Sequence, residues 1–256
     1  MGLGKSKILS QAASDDGAYF APVTYTGDGN DRDINIGFKP DFVWIKERSD
    51  SAGYWHYLFN SIRGGNKPIF SNASNAESVN DNNGYLSSFN NDGFSITSGS
   101  IGMASLNGSG KTYVAWAWKA GGAASSNTSG TITSSVSANV AAGFSIVKYT
   151  GNGTAGATIG HGLTSLTPSL IIWKNMSATS NWLVYSPLIG NDSQFLYLNL
   201  GVAFQTSGSA NEYPTNKVNP TSSVVTVNGA GSSNNINISG EDTIMYCFAD
   251  IAGVQK

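Results

Sequence analysis

The chain has 256 residues, of which 40% are hydrophobic and only 12% are charged, with 31 glycines and a single cysteine. This composition supports one large or two smaller folded domains, and its abundance of Gly, Ser, Thr and Asn favours short strands and tight turns over helices. The net charge of -2 and the short apolar runs argue against nucleic-acid binding and membrane insertion.

Residues 1–18 show no strand pattern and are expected to form an N-terminal tail or anchor that docks against another protein. The apolar stretch at Ile8 and Leu9 is too short for a signal peptide. Residues 2–6 fit the N-myristoylation pattern, but so short a pattern is common by chance, and the tail is the preferred interpretation.

Four sequence blocks occur twice in the same order, with a nearly constant offset between the copies. Such self-similarity indicates an internal duplication. The matched blocks are residues 25–29 and 149–153, 40–46 and 168–174, 56–64 and 182–190, and 110–118 and 240–248.

The last block reads as a strand, because Val114, Trp116 and Trp118 alternate with Ala115 and Ala117. We expect the large-residue face to pack on a facing sheet and the small-residue face to lie under a close neighbour. The second copy repeats the alternation and places its cysteine on the small-residue face, which favours a packed, inert thiol over a reactive one.

The fold predicted from these patterns is all-β, with two tandem jelly-roll or lectin-like β-sandwich domains related by internal duplication. We place the first sandwich at residues 19–120 and the second at residues 142–256. Residues 121–141 are assigned to a flexible Gly/Ser-rich linker (121–130) and an edge strand of the second domain (131–141).

The motifs Pro-Asp-Phe-Val-Trp-Ile-Lys (40–46), Asn-Ser-Ile-Arg-Gly (60–64), Tyr-Val-Ala-Trp-Ala-Trp-Lys-Ala-Gly-Gly (113–122) and Tyr-Thr-Gly-Asn-Gly (149–153) carry a family resemblance. Over residues 19–254 the chain resembles a repeated β-sandwich domain of marine and cyanobacterial bacteriophage virion proteins of tail-fibre type. The resemblance implies a particle component displayed on a tail or a capsid, and it brings no catalytic residues with it. The chain departs from long tail fibres in lacking a shaft or collagen-like stretch, which leaves both locations open.

Two motifs suggest ligand chemistry only superficially. Gly-Ser-Gly-Lys-Thr at 108–112 resembles the end of a phosphate-binding loop, but Ser105 stands where that loop needs Gly and a strand follows in place of a helix. The acidic stretch 28–33 resembles a calcium loop, yet Arg32 interrupts the ligand spacing. We interpret the first as a hairpin turn and the second as a polar turn.

No cofactor, metal site or catalytic residue is predicted. Neither His56 nor His161 has a partner at a spacing typical of a metal site or a nucleophile with its base. The 16 acidic residues include no conspicuous pair inside the matched blocks, which argues against a glycan-cleaving enzyme.

Candidate contacts to a glycan or a protein partner are Tyr54, Trp55, Trp182 and Tyr213, because aromatic rings can stack on sugars in lectin-like sandwiches. The competing interpretation makes most of these rings core or interface residues.

The sequence therefore predicts a non-enzymatic virion surface protein, either a tail-fibre or receptor-binding element or a capsid decoration or head fibre. Its expected partners are capsid or tail subunits, further copies of itself, most often three in fibres, and host surface glycan. The alternative is a carbohydrate-binding or polysaccharide-degrading module acting on host surface glycan.

Overall fold

The computed structural model describes residues 19–49, 55–77, 79, 82–189, 194–206, 218–227 and 236–254. The tail predicted for residues 1–18 lies outside these described residues. No helix in the described part of the chain has the length and apolarity needed to cross a membrane.

The described residues form eighteen strands and one 3₁₀ turn. The strands are β1 (Phe20–Thr26), β2 (Arg32–Asn35), β3 (Phe42–Glu47), β4 (Tyr57–Asn60), β5 (Gly64–Phe70), β6 (Tyr85–Asn90), β7 (Gly93–Thr97), β8 (Thr112–Trp118), β9 (Ser125–Asn127), β10 (Ser134–Asn139), β11 (Phe144–Thr150), β12 (Ala157–Gly160), β13 (Leu170–Asn175), β14 (Leu183–Tyr185), β15 (Gln194–Tyr197), β16 (Gln205–Thr206), β17 (Val224–Val227) and β18 (Asp242–Phe248), and the 3₁₀ turn is Pro187–Ile189.

These strands pair antiparallel in four sheets that stack as four layers, so the all-β class is confirmed. The first outer sheet has the order β2-β7-β6 and the first inner sheet the order β1-β8-β3-β4-β5. The second inner sheet has the order β16-β15-β14-β13-β18-β11-β10-β9, and the second outer sheet pairs β12 with β17. Each inner sheet therefore has an outer sheet on one face and the other inner sheet on its opposite face.

The small-residue face of β8 lies in the core between the first inner and first outer sheets. Ala115 and Ala117 are fully buried there, together with Phe94 of β7 and Leu86 of β6. Small side chains on this strand leave room for the larger residues of the facing sheet, as the alternation predicts.

We call β1–β8 the first half of the chain and β9–β18 the second half. The second half has a corresponding core between its inner and outer sheets. Trp173, Met245 and Cys247 of the inner sheet pack with Ile159 and Val225 of the outer sheet. Burial raises the pKa of the Cys247 thiol, which therefore stays protonated and unreactive. The prediction that this thiol is packed in the core is confirmed.

The large-residue faces of the two halves pack against each other. The ring of Phe42 lies 4.5 Å from that of Tyr246 and 6.1 Å from that of Phe144, measured between centroids. Trp118 lies 6.2 Å from Phe248 by the same measure. The facing sheet expected for this surface thus belongs to the other half of the chain, and the two halves share one core.

A segment of the first half, residues 70–77, lies along the second half and strengthens this contact. The indole Nε1 of Trp182 donates hydrogen bonds to the carbonyls of Phe70 (2.8 Å) and Ala73 (3.1 Å). The Nζ of Lys174 donates to the carbonyl of Ser74 at 3.2 Å. Both donors are fully buried, so these bonds satisfy polar groups that would otherwise be costly to bury.

The two inner sheets share one strand order, since β11-β18-β13-β14-β15 repeats β1-β8-β3-β4-β5. Long-range hydrogen bonds also match in the two halves. The hydroxyl of Tyr25 donates to the carbonyl of Leu106 at 2.7 Å, and that of Tyr149 donates to the carbonyl of Ile236 at 2.6 Å.

The second inner sheet is longer at both edges, because β16 extends it beyond β15 and β9 and β10 extend it beyond β11. The linker predicted for residues 121–130 is therefore wrong for Ser125–Asn127, which pairs with β10 as the sheet's outermost strand. Residues 134–139 do form a strand, but it lies one place in from the edge. The Ser-rich composition of β9 did not predict a strand. Its partner, β10, begins seven residues after β9 ends.

Pro22 marks β1 as the corresponding edge strand of the first inner sheet. The bonds from Lys119 N to Tyr19 O and from Gly27 N to Lys111 O show that odd-numbered residues of β1 bond to β8. Even-numbered residues, including Pro22, point their backbone groups to the open side, where a missing N–H costs nothing. At the matching position the second half has Ile146, whose N–H is needed for pairing with β10.

The buried Lys174 generates a prediction about stability against pH. Burial lowers its pKa from 10.5 to about 8, so between these values the unfolded chain binds more protons than the folded chain. Stability must therefore rise with pH across this window. Relative to Lys174→Met, the free energy of unfolding of the wild type should increase by on the order of 3 kcal/mol from pH 8 to 10.5.

Urea unfolding at a series of pH values measures this difference. Lys39→Met, which removes an exposed lysine, serves as the control and should give a curve parallel to that of the wild type. A Lys174→Met curve that also ran parallel to the wild type would contradict the prediction.

Candidate functional site

The four aromatic residues proposed as contacts have different positions. Tyr54 and Tyr213 lie outside the described residues. Trp55 is 42% exposed and packs on Phe70 at 4.3 Å between ring centroids, so one part of its ring remains open to a partner. Trp182 is fully buried and hydrogen-bonded between the two halves, so a glycan contact at this residue is wrong.

A pair of partly exposed tryptophans on the first inner sheet was not among the predicted contacts. Trp44 and Trp116 meet edge-to-face at 6.0 Å, and Trp44 Nε1 donates to His56 Nδ1 at 3.1 Å. Burial, then the nearby Lys46 charge, lowers the pKa of His56, which keeps the ring neutral and able to accept this bond. The alternation along β8 predicts that Trp116 lies on the large-residue face. It does not predict whether the facing sheet covers this residue. We call Trp44 and Trp116 the tryptophan pair.

Residues 28–31 of the acidic stretch form a polar turn, as predicted, whereas Arg32 and Asp33 belong to β2. Backbone N–H donation from Asn30, then the side-chain amide of Asn107, holds the pKa of Asp28 low, while the hydroxyl and N–H groups of Thr97 and Ser98 do the same for Asp31. These carboxylates bind neighbouring loops of the protein itself. Within the described ranges no group of three acidic, His or Cys side chains is arranged to hold a metal ion.

The Gly-Lys-Thr motif is a turn leading into β8, and no helix follows it. The Nζ of Lys111 lies 3.7 Å from Oε1 of the buried Glu47. In the second half the same two positions hold Glu241 and Asn175, joined by a 2.5 Å hydrogen bond from the amide to the carboxylate. The motif therefore belongs to a polar contact at a strand end.

A groove of about 420 Å³ lies beside β9, and we call it the β9 groove. Ser125, Asn127 and Ser129 contribute one wall, β10 contributes the floor, and Thr164 and Ser223 contribute the opposite wall. The segment predicted to be a linker thus forms one side of a concave surface.

The strand β9 and the segments that flank it explain this lining, with a bend at Gly122, whose φ is +77°. Successive side chains of a strand point to opposite faces, so every second residue from Gly121 to Ser129 faces the groove. Ser126 instead lines a shallow depression on the other face of the sheet. The pairing of Ser125 with Val136 sets the register of this wall against the floor.

Three glycines allow the walls to approach each other closely. A Cβ on Gly121 would collide with the carbonyl of Ala138, and one on Gly160 would collide with the side-chain amide of Asn127. Gly162 has a φ of +75°, and a Cβ there would lie 2.6 Å from Cγ1 of Val136. Any larger residue at these positions would push the groove open.

His161 fixes the wall opposite β9. Its Nδ1 accepts a hydrogen bond from the N–H of Leu163 at 3.1 Å, so its proton lies on Nε2, which is 3.2 Å from the carbonyl of Thr221. The ring is fully buried, and its backbone N–H also bonds to the carbonyl of Ser223. This one side chain therefore joins the two loops that carry Thr164 and Ser223, a role that its sequence context did not reveal.

The lining of the β9 groove sets its chemistry. Its polar side chains are hydroxyls and one carboxamide, groups that both donate and accept hydrogen bonds. None of the lining side chains is ionisable, so the groove offers neither an acid–base pair nor an activated nucleophile. Such a surface can bind a polar molecule without changing it.

A family model described as a domain of unknown function, DUF7483, matches residues 15–256. The chain belongs to the DUF7483 family. No curated protein and no solved structure matches it. The match covers both halves, so the DUF7483 domain comprises the whole four-layer fold.

The close approach at Gly162 predicts a steric effect on stability in this DUF7483 domain. Gly162→Ala combines a positive φ with a clash against the buried Val136, whereas Gly240→Ala has a similar φ of +82° and no atom within 4 Å. We expect the second variant to lose about 1–2 kcal/mol of unfolding free energy and the first to lose at least about 1 kcal/mol more. Urea unfolding of both variants tests this, and equal losses would contradict it.

The bonds of His161 predict a pH effect. Burial lowers the pKa of His161 below 6.5, although the carbonyl of Thr221 acts in the opposite direction. Protonation of Nδ1 would also break the bond from Leu163. The stabilisation is present above pH 6.5 and is lost as the pH falls through the folded-state pKa, since the unfolded chain then binds the extra proton. NMR titration should give His161 a pKa below 6.5, and the free energy of unfolding should decrease as the pH is lowered below 6.5.

His161→Asn is the matched variant, because its side-chain oxygen can replace Nδ1 as the acceptor but does not titrate. It should be less stable than the wild type near neutral pH and should lose less stability on acidification. The chain's other histidine, His56, gives an internal comparison in the same spectra. A His161 pKa at or above 6.5 would contradict the prediction that burial keeps this ring neutral.

Proposed function

We propose that this protein is a non-enzymatic structural component of the surface of a bacteriophage particle, acting through assembly and surface binding. The observation that carries the proposal is the packing of both halves into one four-layer β-stack through the aromatic faces of the inner sheets. A stack of this kind presents loops and grooves from a fixed frame, which suits a displayed particle protein. The motif resemblance to phage virion domains supports the same proposal.

We also propose that the two halves arose by duplication of one unit. The shared strand order of the inner sheets and the matching tyrosine bonds from Tyr25 and Tyr149 support this origin. Repeated modules are a common way to extend a displayed structure, because each copy brings its own core and its own loops.

Several acidic side chains form hydrogen bonds or ion pairs within the fold, which supports a binding role over a catalytic one. Asp41 accepts hydrogen bonds from Ser61 and from the backbone at Ala120, and Glu77 forms a 2.6 Å ion pair with the buried Arg63. Glu47 is buried beside Lys111, as described above. These carboxylates bind parts of the fold and lie outside the β9 groove.

Exposed apolar side chains support a role in assembly. They cluster in the connection between β15 and β16, where Leu200, Val202 and Phe204 are 42–50% exposed, and in the nearby 3₁₀ turn, where Leu188 is 93% exposed. Apolar patches of this kind are typical of contacts with other protein subunits. Further copies of the chain and neighbouring virion proteins are the proposed partners.

Localisation on the particle tests the proposed function. Cryo-electron microscopy of purified particles that encode the protein should show density that fits the four-layer fold on the tail or on the capsid. Particles from a deletion mutant should lack that density and serve as the control. Absence of the protein from purified particles, measured by mass spectrometry, would refute the proposal.

A further inference from the structure

We propose that the β9 groove binds an uncharged, hydroxyl-rich saccharide. The inference rests on the surface-binding part of the proposed function and names the chemical class of the ligand. It depends on the lining, the volume and the fixed walls of the groove.

The lining excludes a strongly charged ligand from the groove itself. Its polar groups are the hydroxyls of Ser125, Ser129, Thr164 and Ser223 and the amide of Asn127, with no cation or carboxylate among them. An ionised group brought here would lose hydration without gaining an opposite charge. A neutral ligand avoids that cost.

The same groups match the hydrogen-bonding pattern of sugar hydroxyls, which both donate and accept. Asn127 is held in place because its Oδ1 accepts the N–H of Ser129 at 2.9 Å. That bond leaves its Nδ2 group to donate to a ligand. A fixed donor beside rotatable hydroxyls favours a ligand that carries several hydroxyls over one with a single polar end.

Size and shape agree with this class. A volume of about 420 Å³ lies within the range of small-molecule sites, roughly 300–1,000 Å³. The small side chains of Ala123 and Ala138 leave room in the groove, and the methyl groups of Val136 and Ala138 offer an apolar floor for the C–H face of a sugar ring. The close packing at Gly160 and Gly162 keeps the walls in place before a ligand arrives, which limits the entropy lost on binding.

A second groove of about 450 Å³ continues past Gly121 and Ala138 towards Lys39 and Lys119. An oligosaccharide longer than the β9 groove would extend in this direction. Charged sugars would gain their contacts there, so comparing neutral with acidic oligosaccharides locates the part of the surface that binds.

The experiment uses the full chain, isotope-labelled for NMR, with hexasaccharides of glucose, galactose, mannose and N-acetylglucosamine as neutral probes and hexagalacturonate as the acidic probe. We expect at least one neutral probe to bind saturably and to shift amide signals of residues 121–129 and 161–164. Ser125→Tyr should abolish this binding by filling the groove. Asn127→Asp, which removes the Nδ2 donor and adds a charge, should weaken it at least tenfold.

Two controls make the result decisive. Ser126→Tyr places the same ring on the opposite face of β9 and should leave binding unchanged. Trp116→Ala tests the tryptophan pair as a rival site, because loss of binding in this variant with retention in Ser125→Tyr would overturn the inference. Failure of every neutral probe, or tighter binding of hexagalacturonate, would also overturn it. A protein located on the particle that bound no probe would leave the proposed function standing and refute only the saccharide site.

Discussion

The contact between the two inner sheets buries aromatic side chains from both halves in one shared core, and the other layers are arranged around it. Phe42, Phe144 and Tyr246 are almost fully buried there. At about 2 kcal/mol for each ring, these three side chains contribute on the order of 6 kcal/mol, comparable to the net stability of a whole domain. Neither half can leave the other without exposing these rings, so the two halves are expected to unfold together.

Polar groups within this contact restrict how the sheets can pack. Tyr246 of the second half accepts a 2.8 Å hydrogen bond from the amide of Asn60 in the first half, close to the buried Arg63. Purely apolar faces could slide over each other with little cost, whereas a displaced Tyr246 would leave a buried amide without its partner. The bonds of Trp182 and Lys174 to residues 70–77 act in the same way at the side of the interface. Packing supplies most of the energy, and these bonds select one arrangement.

The sequence was sufficient to predict the two faces of the strands but not which sheet packs on each face. Alternation along β8 predicted two faces of different character, because side-chain period and size are local properties. Which sheet covers each face depends on contacts between residues such as Phe42 and Tyr246, which are far apart in the chain, and Trp182 was accordingly mistaken for a surface ring. The β9 strand was missed for a related reason, since Ser and Asn have low strand propensity and pair there only because β10 offers an edge. The proline in β1 was the available signal for the difference between the sheet edges.

The β9 groove follows from the same asymmetry between the halves. In the first half Pro22 has no N–H to offer a strand beyond β1, and the first inner sheet has five strands among the described residues. In the second half Ile146 can pair with β10, and β9 then pairs with β10. These two strands form the wall and floor of the groove opposite the loops joined by His161. The added strand β10 also contributes Val136 to the core between the second inner and second outer sheets, so the new surface is built on an enlarged core. If the groove binds saccharide, one half supplies the site and the shared core supplies the rigid support that holds it in place.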